Sequence, residues 1–242
     1  RVAHLRTFTL PGGERAIREP RRSALGLLHQ IFGDSGAEHF GATTGAFSGR
    51  ERAIVTRMLA AGINAPRTSS AGRLFDAVAS LTGLRQVAAF EGQAAMDLEF
   101  ALEGVSTDDE YCITLRGDSP IVVDWEPAIR AILGDLAAGI GPAVISARFH
   151  NTLAAAIAGV VGRLGGCDPA LPIVLSGGCF QNQYLLRRTV AALERQGSRA
   201  YWQQRVPTND GGIALGQIAA VWLTAPLAPA TTEDSRRTTE EE

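Results

Sequence analysis

The chain has 242 residues, with 23 basic and 25 acidic side chains, and every basic residue is arginine because the sequence contains no lysine. Mechanisms that need a lysine amine, such as a Walker A phosphate loop or Schiff-base catalysis, are therefore excluded within this chain. The net charge of −2 does not favour nucleic-acid binding, and the apolar runs are shorter than the roughly 18 residues of a membrane span. Three cysteines without paired spacing predict a protein of the reducing cytoplasm rather than a disulfide framework.

The first hundred residues read as a succession of helices. Apolar residues recur at helical spacing in each run, and Ser48 with Glu51 forms a capping-box pattern. Ser69 or Ser70 is expected to cap a later helix that ends at Gly83. The predicted helices cover residues 22–32, 48–59, 70–83 and 92–102, and a glycine-rich loop is expected at 33–49.

The second half predicts a hairpin followed by alternating helices and strands. The hairpin joins strands 111–115 and 121–123, and long helices follow at 127–138 and 143–164. The last third then reads as strand, helix, strand and helix, which is typical of a parallel sheet covered by helices. We therefore expect one α/β domain over residues 1–224, followed by a disordered Pro/Thr-rich acidic tail at 225–242. The final four elements are predicted at 173–175, 182–196, 200–204 and 212–223.

Ser176, Gly177 and Gly178 form a glycine turn between a predicted buried strand and a helix that begins at Asn182. Such a turn lets the backbone approach a ligand closely, and the helix N-terminus favours a phosphate without any lysine. The alternative is a strand-to-helix turn whose glycines serve only packing. Asn182 is either a helix-start residue or a hydrogen-bonding partner of the ligand.

Asp210 stands in the second glycine-rich loop, Asn209-Asp210-Gly211-Gly212, which also lies between a strand and a helix. A carboxylate there can hold a metal ion that bridges to phosphates, or it can simply cap the helix. Since both glycine-rich loops follow strands of the same parallel sheet, we expect them to converge on one crevice.

Asp76 and Glu91 are candidates for binding the two hydroxyls of a ribose, because an ionised carboxylate only accepts hydrogen bonds. The alternative for Asp76 is a helical ion pair with Arg73, three residues earlier. Among the histidines, only His150 stands among other polar residues, and it is the one candidate for a catalytic side chain. Cys179 lies at a helix start, a position that can lower the pKa of a thiol.

Five segments in this order and spacing resemble the C-terminal part of the HypF family, the carbamoyltransferases of [NiFe]-hydrogenase maturation. The resemblance implies the second lobe of a TsaD-like domain, with the actin/Hsp70-like (ribonuclease H-like) nucleotide fold, a mixed sheet flanked by helices and a helix-rich N-terminal half. The segments are TSSAGRLFDAVA (68–79), FEGQAA (90–95), FHNTLA (149–154), LSGGCFQN (175–182) and VPTNDGGIALGQ (206–217).

This resemblance also implies a reaction. In the family, carbamoyl phosphate and ATP give carbamoyl-adenylate in a YrdC-like domain, and the TsaD-like domain then passes the carbamoyl group to the C-terminal cysteine of a HypE-like acceptor protein. Neither a nucleic acid nor a membrane is an expected partner. By matching motifs, Asp210 corresponds to a ligand of a divalent metal ion, and the nucleotide-binding positions correspond to Asp76, Glu91, Gly92, Gly177, Gly178 and Asn182.

The sequence departs from the family pattern in one important respect. The family's HxxxH metal ligands are absent from these residues, so the identity of the metal (iron, zinc or magnesium) stays open. We expect this chain alone to bind metal poorly and to transfer nothing. The alternatives are a threonylcarbamoyl or antibiotic O-carbamoyl transferase, a non-catalytic nucleotide-binding half-domain, and a sugar-kinase-like ATPase.

Overall fold

The computed structural model describes residues 1–38, 41–165 and 171–224. Within these ranges, strands are short and helices dominate, above all in the N-terminal half. The strands are β1 (Ala3–Leu5), β2 (Phe8–Thr9), β3 (Arg67–Thr68), β4 (Thr114–Arg116), β5 (Ile121–Asp124), β6 (Ile173–Leu175) and β7 (Ala200–Trp202). The helices are α1 (Arg15–Arg18), α2 (Pro20–Phe32), α3 (Gly41–Gly45), α4 (Gly49–Ala61), α5 (Ala71–Leu81), α6 (Gln93–Ala101), α7 (Glu126–Ala137), α8 (Pro142–Arg163), α9 (Gln183–Arg195) and α10 (Ile213–Thr224).

Local capping signals determine where several helices begin. Ser48 and Glu51 form the predicted capping box of α4, and Ser70, rather than Ser69, caps α5 by accepting from the backbone N–H of Arg73. Helix α2 begins at Pro20, two residues earlier than predicted, because proline is well tolerated in a first turn. The capping side chains of Ser48 and Ser70 accept hydrogen bonds from N–H groups in the first turn, which have no partner within the helix.

Helices α2, α5 and α8 surround the main hydrophobic core. Leu27 and Leu28 of α2 pack with Leu74 and Phe75 of α5, and all four side chains are almost completely buried. Helix α2 approaches β2 so closely that a Cβ atom on Gly26 would lie 1.9 Å from the carbonyl oxygen of Thr9. This contact requires glycine at that position.

The described strands form three small sheets. Strand β5 lies at the centre of a mixed sheet, parallel to β1 and antiparallel to β4, so the predicted hairpin is confirmed. Strands β6 and β7 pair in parallel, as predicted, and β2 pairs with β3 in an antiparallel arrangement. The predicted α/β class, with a mixed sheet flanked by helices, is confirmed.

Helix α9 covers one face of the β6–β7 sheet, where Leu186 and Leu193 are buried together with Leu175, whereas Leu185 packs into the main core. Helix α10 differs, because none of its residues is buried, and Trp222 keeps 77% of its surface exposed. Helix α8 is long and apolar enough by composition to cross a membrane, yet 61% of its most apolar window is buried inside the protein. It is therefore positioned as a core helix.

Some sequence-based boundaries were wrong. The expected loop at 33–49 contains a 3-10 segment, Gly33–Glu38, and helix α3. Strand β7 ends at Trp202 rather than at 204, and β4 starts at Thr114 rather than at 111. The tail at 225–242, for which disorder was predicted, lies outside the described residues.

Candidate functional site

The two glycine-rich loops meet in the structure. Gly177 has a φ of +106°, a conformation that favours glycine, and its backbone N–H donates to the carbonyl oxygen of Thr208 at 2.8 Å. Each loop follows a strand of the β6–β7 sheet, at the carboxyl end of that strand. The predicted convergence of the loops is therefore confirmed.

The second loop is built around Asn209 and a close backbone approach. The side chain of Asn209 accepts from the backbone N–H of Gly211 at 3.1 Å, so Asn209 caps the 3-10 turn Asp210–Gly212 that precedes α10. A Cβ atom on Gly212 would lie 2.7 Å from the carbonyl oxygen of Pro207, which explains the glycine there. The Asp210 side chain is left exposed.

Asp210 does not form a complete metal site with its neighbours. Throughout the part of the chain that the structure describes, no group of three or more His, Cys, Asp or Glu side chains could hold a metal ion. Stable protein metal sites generally take three or more protein ligands or a substrate phosphate. The metal-binding role of Asp210 stays a prediction, and these residues supply one ligand toward it.

Asn182 is confirmed as a helix-start residue. Its Oδ1 accepts from the backbone N–H of Leu185 at 2.8 Å, which caps α9. On the opposite side of the same carboxamide, Nδ2 lies 2.8 Å from Nε2 of His150. The orientation of the Asn182 side chain is thus determined on both sides, and its contact with a nucleotide stays a prediction.

His150 lies behind the loop rather than in an open site. It is completely buried, and Nδ1 lies 2.7 Å from the carbonyl oxygen of Ser146. Burial lowers the pKa of His150 to about 4, opposed only by that backbone hydrogen bond, so the ring is neutral at physiological pH. The rings of Phe75 and Tyr184 contact it edge-on, with centroid separations of 5.2 and 5.6 Å. A catalytic role for His150 stays a prediction.

The predicted ion pair between Arg73 and Asp76 is present, with 2.7 Å between Nη1 and Oδ2. Burial raises the pKa of Asp76 to about 7; the charge of Arg73 opposes this shift, and the charge of Glu91 adds to it. Asp76 is 3% exposed, whereas Glu91 is exposed. The two carboxylates are therefore electrostatic neighbours, and their ribose-binding roles stay predictions.

Cys179 brings the first glycine loop close to this ion pair. Burial raises the pKa of its thiol, and the charges of Arg73 and Asp76 also act on it. The expectation that a helix start would lower this pKa is wrong, because desolvation is the larger effect.

The folded chain thus gathers residues 73–76, 91–92 and 177–182, three segments that are far apart in sequence. Gly92, with a φ of +83°, precedes α6 in this cluster.

A cleft of about 640 Å³ adjoins the two loops. Its lining is uncharged, and two of its buried polar atoms, Oε1 of Gln203 and Oγ1 of Thr208, have no hydrogen-bond partner. Buried polar atoms usually find a partner, so these two are among the exceptions in the described residues, and both are almost completely shielded from solvent. Lining residues from both loops include Phe180, Gln181, Trp202, Gln203, Val206 and Thr208.

Comparisons with known proteins agree with this geometry. The family model for the second subdomain of the carbamoyltransferase Kae1-like domain matches residues 1–217. The carbamoyltransferase HypF of Synechocystis sp. is 37% identical over 233 residues, which are 91% of this chain and 30% of that protein. A crystal structure of full-length HypF in its phosphate- and nucleotide-bound form superposes with a TM-score of 0.83 at 37% identity, covering 94% of this chain and 30% of that chain.

The chain belongs to the HypF carbamoyltransferase family. It spans about 30% of the length of the HypF proteins named above. A more distant similarity links it to a tRNA N6-adenosine threonylcarbamoyltransferase of Sorangium cellulosum, 30% identical over 67% of this chain and 46% of that protein. The predicted relationship to HypF and to TsaD-like proteins is confirmed.

One contact next to the first glycine-rich loop was not found from the sequence. Oε1 of Glu99, on α6, accepts from the backbone N–H groups of Gln183 and Tyr184 at 2.7 and 3.3 Å. Glu99 and Asn182 together accept from the backbone N–H groups of the first turn of α9. The sequence predicted that these N–H groups would bind a phosphate, but in the structure they are already paired. No sequence signal connects Glu99 with α9, since the two lie more than 80 residues apart.

Proposed function

We propose that this chain forms part of a carbamoyl-transfer domain that acts in [NiFe]-hydrogenase maturation in the cytoplasm. The intact protein takes carbamoyl-adenylate, made from carbamoyl phosphate and ATP, and passes its carbamoyl group to the C-terminal cysteine of a HypE-like acceptor protein. The thiolate attacks the carbamoyl carbon, a C–S bond forms, and the C–O bond to the phosphate of AMP breaks. The carbamoylated cysteine is then the source of cyanide ligands for the hydrogenase iron.

The single observation that carries this proposal is the joining of the two glycine-rich loops by Gly177 and Thr208. Glycine turns at the carboxyl ends of parallel strands are where α/β proteins bind nucleotides. In this proposal Gly177, Gly178 and Asn182 contact the nucleotide. We assign the uncharged part of the substrate to the adjoining cleft, because the residues that line this cleft carry no charge.

Asp76, Glu91 and Gly92 would hold the sugar of the adenylate. The electrostatic coupling of Asp76 with Glu91 supports a shared position for the two carboxylates. Asp210 would contribute one carboxylate to a divalent metal ion, whose remaining ligands must come from outside the described residues. That ion, when bound, would neutralise phosphate charge.

Carbamoyl transfer measured with the full-length protein tests the proposal. The assay follows label from carbamoyl phosphate, in the presence of ATP, onto the C-terminal cysteine of the acceptor. We expect Asp210→Ala to lose metal and transfer while folding normally, and Asp118→Ala, which removes an exposed carboxylate from the hairpin, to retain both. Full activity of Asp210→Ala would refute the metal assignment, and transfer by this chain alone would refute the expectation that it is inactive.

The similarity to a threonylcarbamoyltransferase supports a second candidate, transfer of a threonylcarbamoyl group to a tRNA adenosine. The same full-length protein, offered tRNA and threonylcarbamoyl-adenylate, distinguishes the two. Modification of tRNA without transfer to the acceptor cysteine would favour this alternative. Nucleotide binding without transfer to either acceptor would favour a non-catalytic half-domain.

A further inference from the structure

His150 contacts the first glycine-rich loop through a hydrogen bond with Asn182. Among the described residues of that loop, Asn182 is the one whose side chain bonds to His150. Its Nε2 lies 2.8 Å from Nδ2 of Asn182, and its Nδ1 lies 2.7 Å from the carbonyl oxygen of Ser146. The ring is completely buried on α8 and makes edge contacts with Phe75 and Tyr184. No ligand can therefore touch His150 without rearrangement of the core.

The hydrogen bonds around His150 allow one arrangement of protons. The backbone N–H of Leu185 needs an acceptor, so Oδ1 of Asn182 must face it and Nδ2 must face His150. Nε2 of His150 then accepts, which places the ring proton on Nδ1, and Nδ1–H donates to the carbonyl oxygen of Ser146. The hydroxyl of Ser146 in turn donates to the carbonyl oxygen of Leu98 at 2.6 Å.

We infer that His150 is a positioning residue, which holds the Asn182 carboxamide in the orientation that binds the nucleotide. The inference rests on the proposed function, in which Asn182 contacts that nucleotide. One amide N–H of Asn182 is used by His150 and its Oδ1 is used by the helix cap, so the second amide N–H is the donor left for a ligand. By accepting the first amide N–H of Asn182, Nε2 of His150 fixes the direction in which the second amide N–H points.

The neutral form of the ring is essential to this role. A proton on Nε2 would place two N–H donors against each other, and Asn182 could not turn its oxygen toward His150 without abandoning Leu185. The burial that keeps His150 neutral therefore also keeps the α9 cap and the Asn182 donor in place. Phenylalanine at position 150 would fill a similar volume but offer no acceptor, whereas glutamine would offer an oxygen near the position of Nε2.

The first test measures AMP binding to this chain by titration calorimetry. We expect His150→Phe to weaken AMP binding about tenfold and His150→Gln to restore it to within about threefold of the wild type, as for one misdirected hydrogen bond. Ser146→Ala is the control: it removes a hydroxyl that bonds to Leu98 and lies 3.3 Å from Nδ1 of His150, but it keeps the carbonyl that accepts from His150 and the contact between Nε2 and Asn182. Equal affinity of the Phe variant and the wild type would overturn the inference.

The second test does not depend on a nucleotide. In ¹⁵N NMR spectra we expect Nε2 of His150 to be unprotonated at neutral pH, and the side-chain NH₂ signals of Asn182 to shift in His150→Phe and to return in His150→Gln. A protonated Nε2, or unshifted Asn182 signals, would overturn the inference. Absence of AMP binding to the wild type with the expected NMR result would instead refute the nucleotide contact of Asn182 and leave the His150–Asn182 contact established. Should the Phe variant not fold, the ring-nitrogen signals of the wild type decide the inference.

Discussion

The backbone N–H of Gly177 donates a 2.8 Å hydrogen bond to the carbonyl oxygen of Thr208, which joins two loops separated by about thirty residues. Because both loops follow strands of one parallel pair, this bond fixes the edge of the sheet at which the site forms. The conformation of Gly177, with φ at +106° and ψ at 160°, makes the bond possible. The junction of the two loops therefore depends on the backbone conformation of Gly177.

Gly177→Ala should destabilise the fold by about 1–3 kcal/mol, because alanine is strained in that backbone conformation. The matched control is Gly178→Ala, where a Cβ atom would make only an ordinary contact, 3.9 Å from Cβ of Asn209. Urea unfolding of both variants measures the difference. Equal losses of stability would show that the backbone conformation at Gly177 is not the cause.

Gly26→Ala should cost more, about 2–4 kcal/mol or failure to fold, because its Cβ atom would lie 1.9 Å from the backbone oxygen of Thr9. A backbone oxygen cannot move aside as a flexible side chain can. Gly134→Ala, on an exposed position of α7 with open space around it, should instead stabilise the fold by up to about 1 kcal/mol. Thermal unfolding of the two variants distinguishes tight helix packing from a general effect of replacing glycine.

His150 should make the protein less stable as the pH falls from about 6.5 to about 4. The unfolded histidine takes up a proton near its ordinary pKa of about 6.5, whereas burial delays this uptake in the folded state to about 4, so acid favours unfolding. The full effect is about 3 kcal/mol. His150→Gln should lack this contribution, and the difference between the two unfolding curves at pH 7 and pH 4.5 isolates it. An identical pH dependence in both proteins would contradict the neutral buried ring.

Asp76 should make adenosine binding stronger as the pH rises through 7. Its raised pKa leaves it mostly protonated at pH 6 and mostly ionised at pH 8, and the ionised carboxylate is the stronger acceptor for the two ribose hydroxyls. We expect an increase in affinity of about tenfold over this range. Adenosine is the probe because it carries no phosphate that titrates in the same range.

Asp76→Asn is the control for that measurement, since asparagine does not titrate. Its adenosine affinity should be independent of pH between 6 and 8. A pH dependence that survives in this variant would assign the titrating group elsewhere. A flat profile in the wild type would argue against a contact between Asp76 and the ribose.

Short-range patterns accounted for the elements that the sequence predicted correctly. The capping box at Ser48 and Glu51 and the glycine turn at Gly177 and Gly178 involve residues within four positions of one another, so their geometry is largely local. Strand β1 was missed because three residues carry no usable periodicity, and its partner β5 lies more than 100 residues away. The parallel pairing is decided by packing across the whole domain.

The pKa of Cys179 and the hydrogen-bond partners of the first turn of α9 could not be predicted from the sequence. From the sequence, Cys179 was expected to have a lowered pKa and the first turn of α9 was expected to be free for phosphate. In the structure, burial raises the thiol pKa, and Glu99 takes two of the N–H groups of α9. Desolvation and long-range contacts exceed the effect of the helix N-terminus, and neither can be read from neighbouring residues.

By itself, the sequence determined the family, the start of α4, the order of strands and helices in the last third, and the two glycine-rich loops, because each of these follows from motifs or local patterns. Only the tertiary structure decided that the loops are joined through Gly177 and Thr208, that Arg73 pairs with Asp76 in a buried position, and that His150 faces Asn182 as a neutral acceptor. The physical reason is that burial and the distance between side chains set both pKa and hydrogen-bond partners, and both arise only when distant segments pack together.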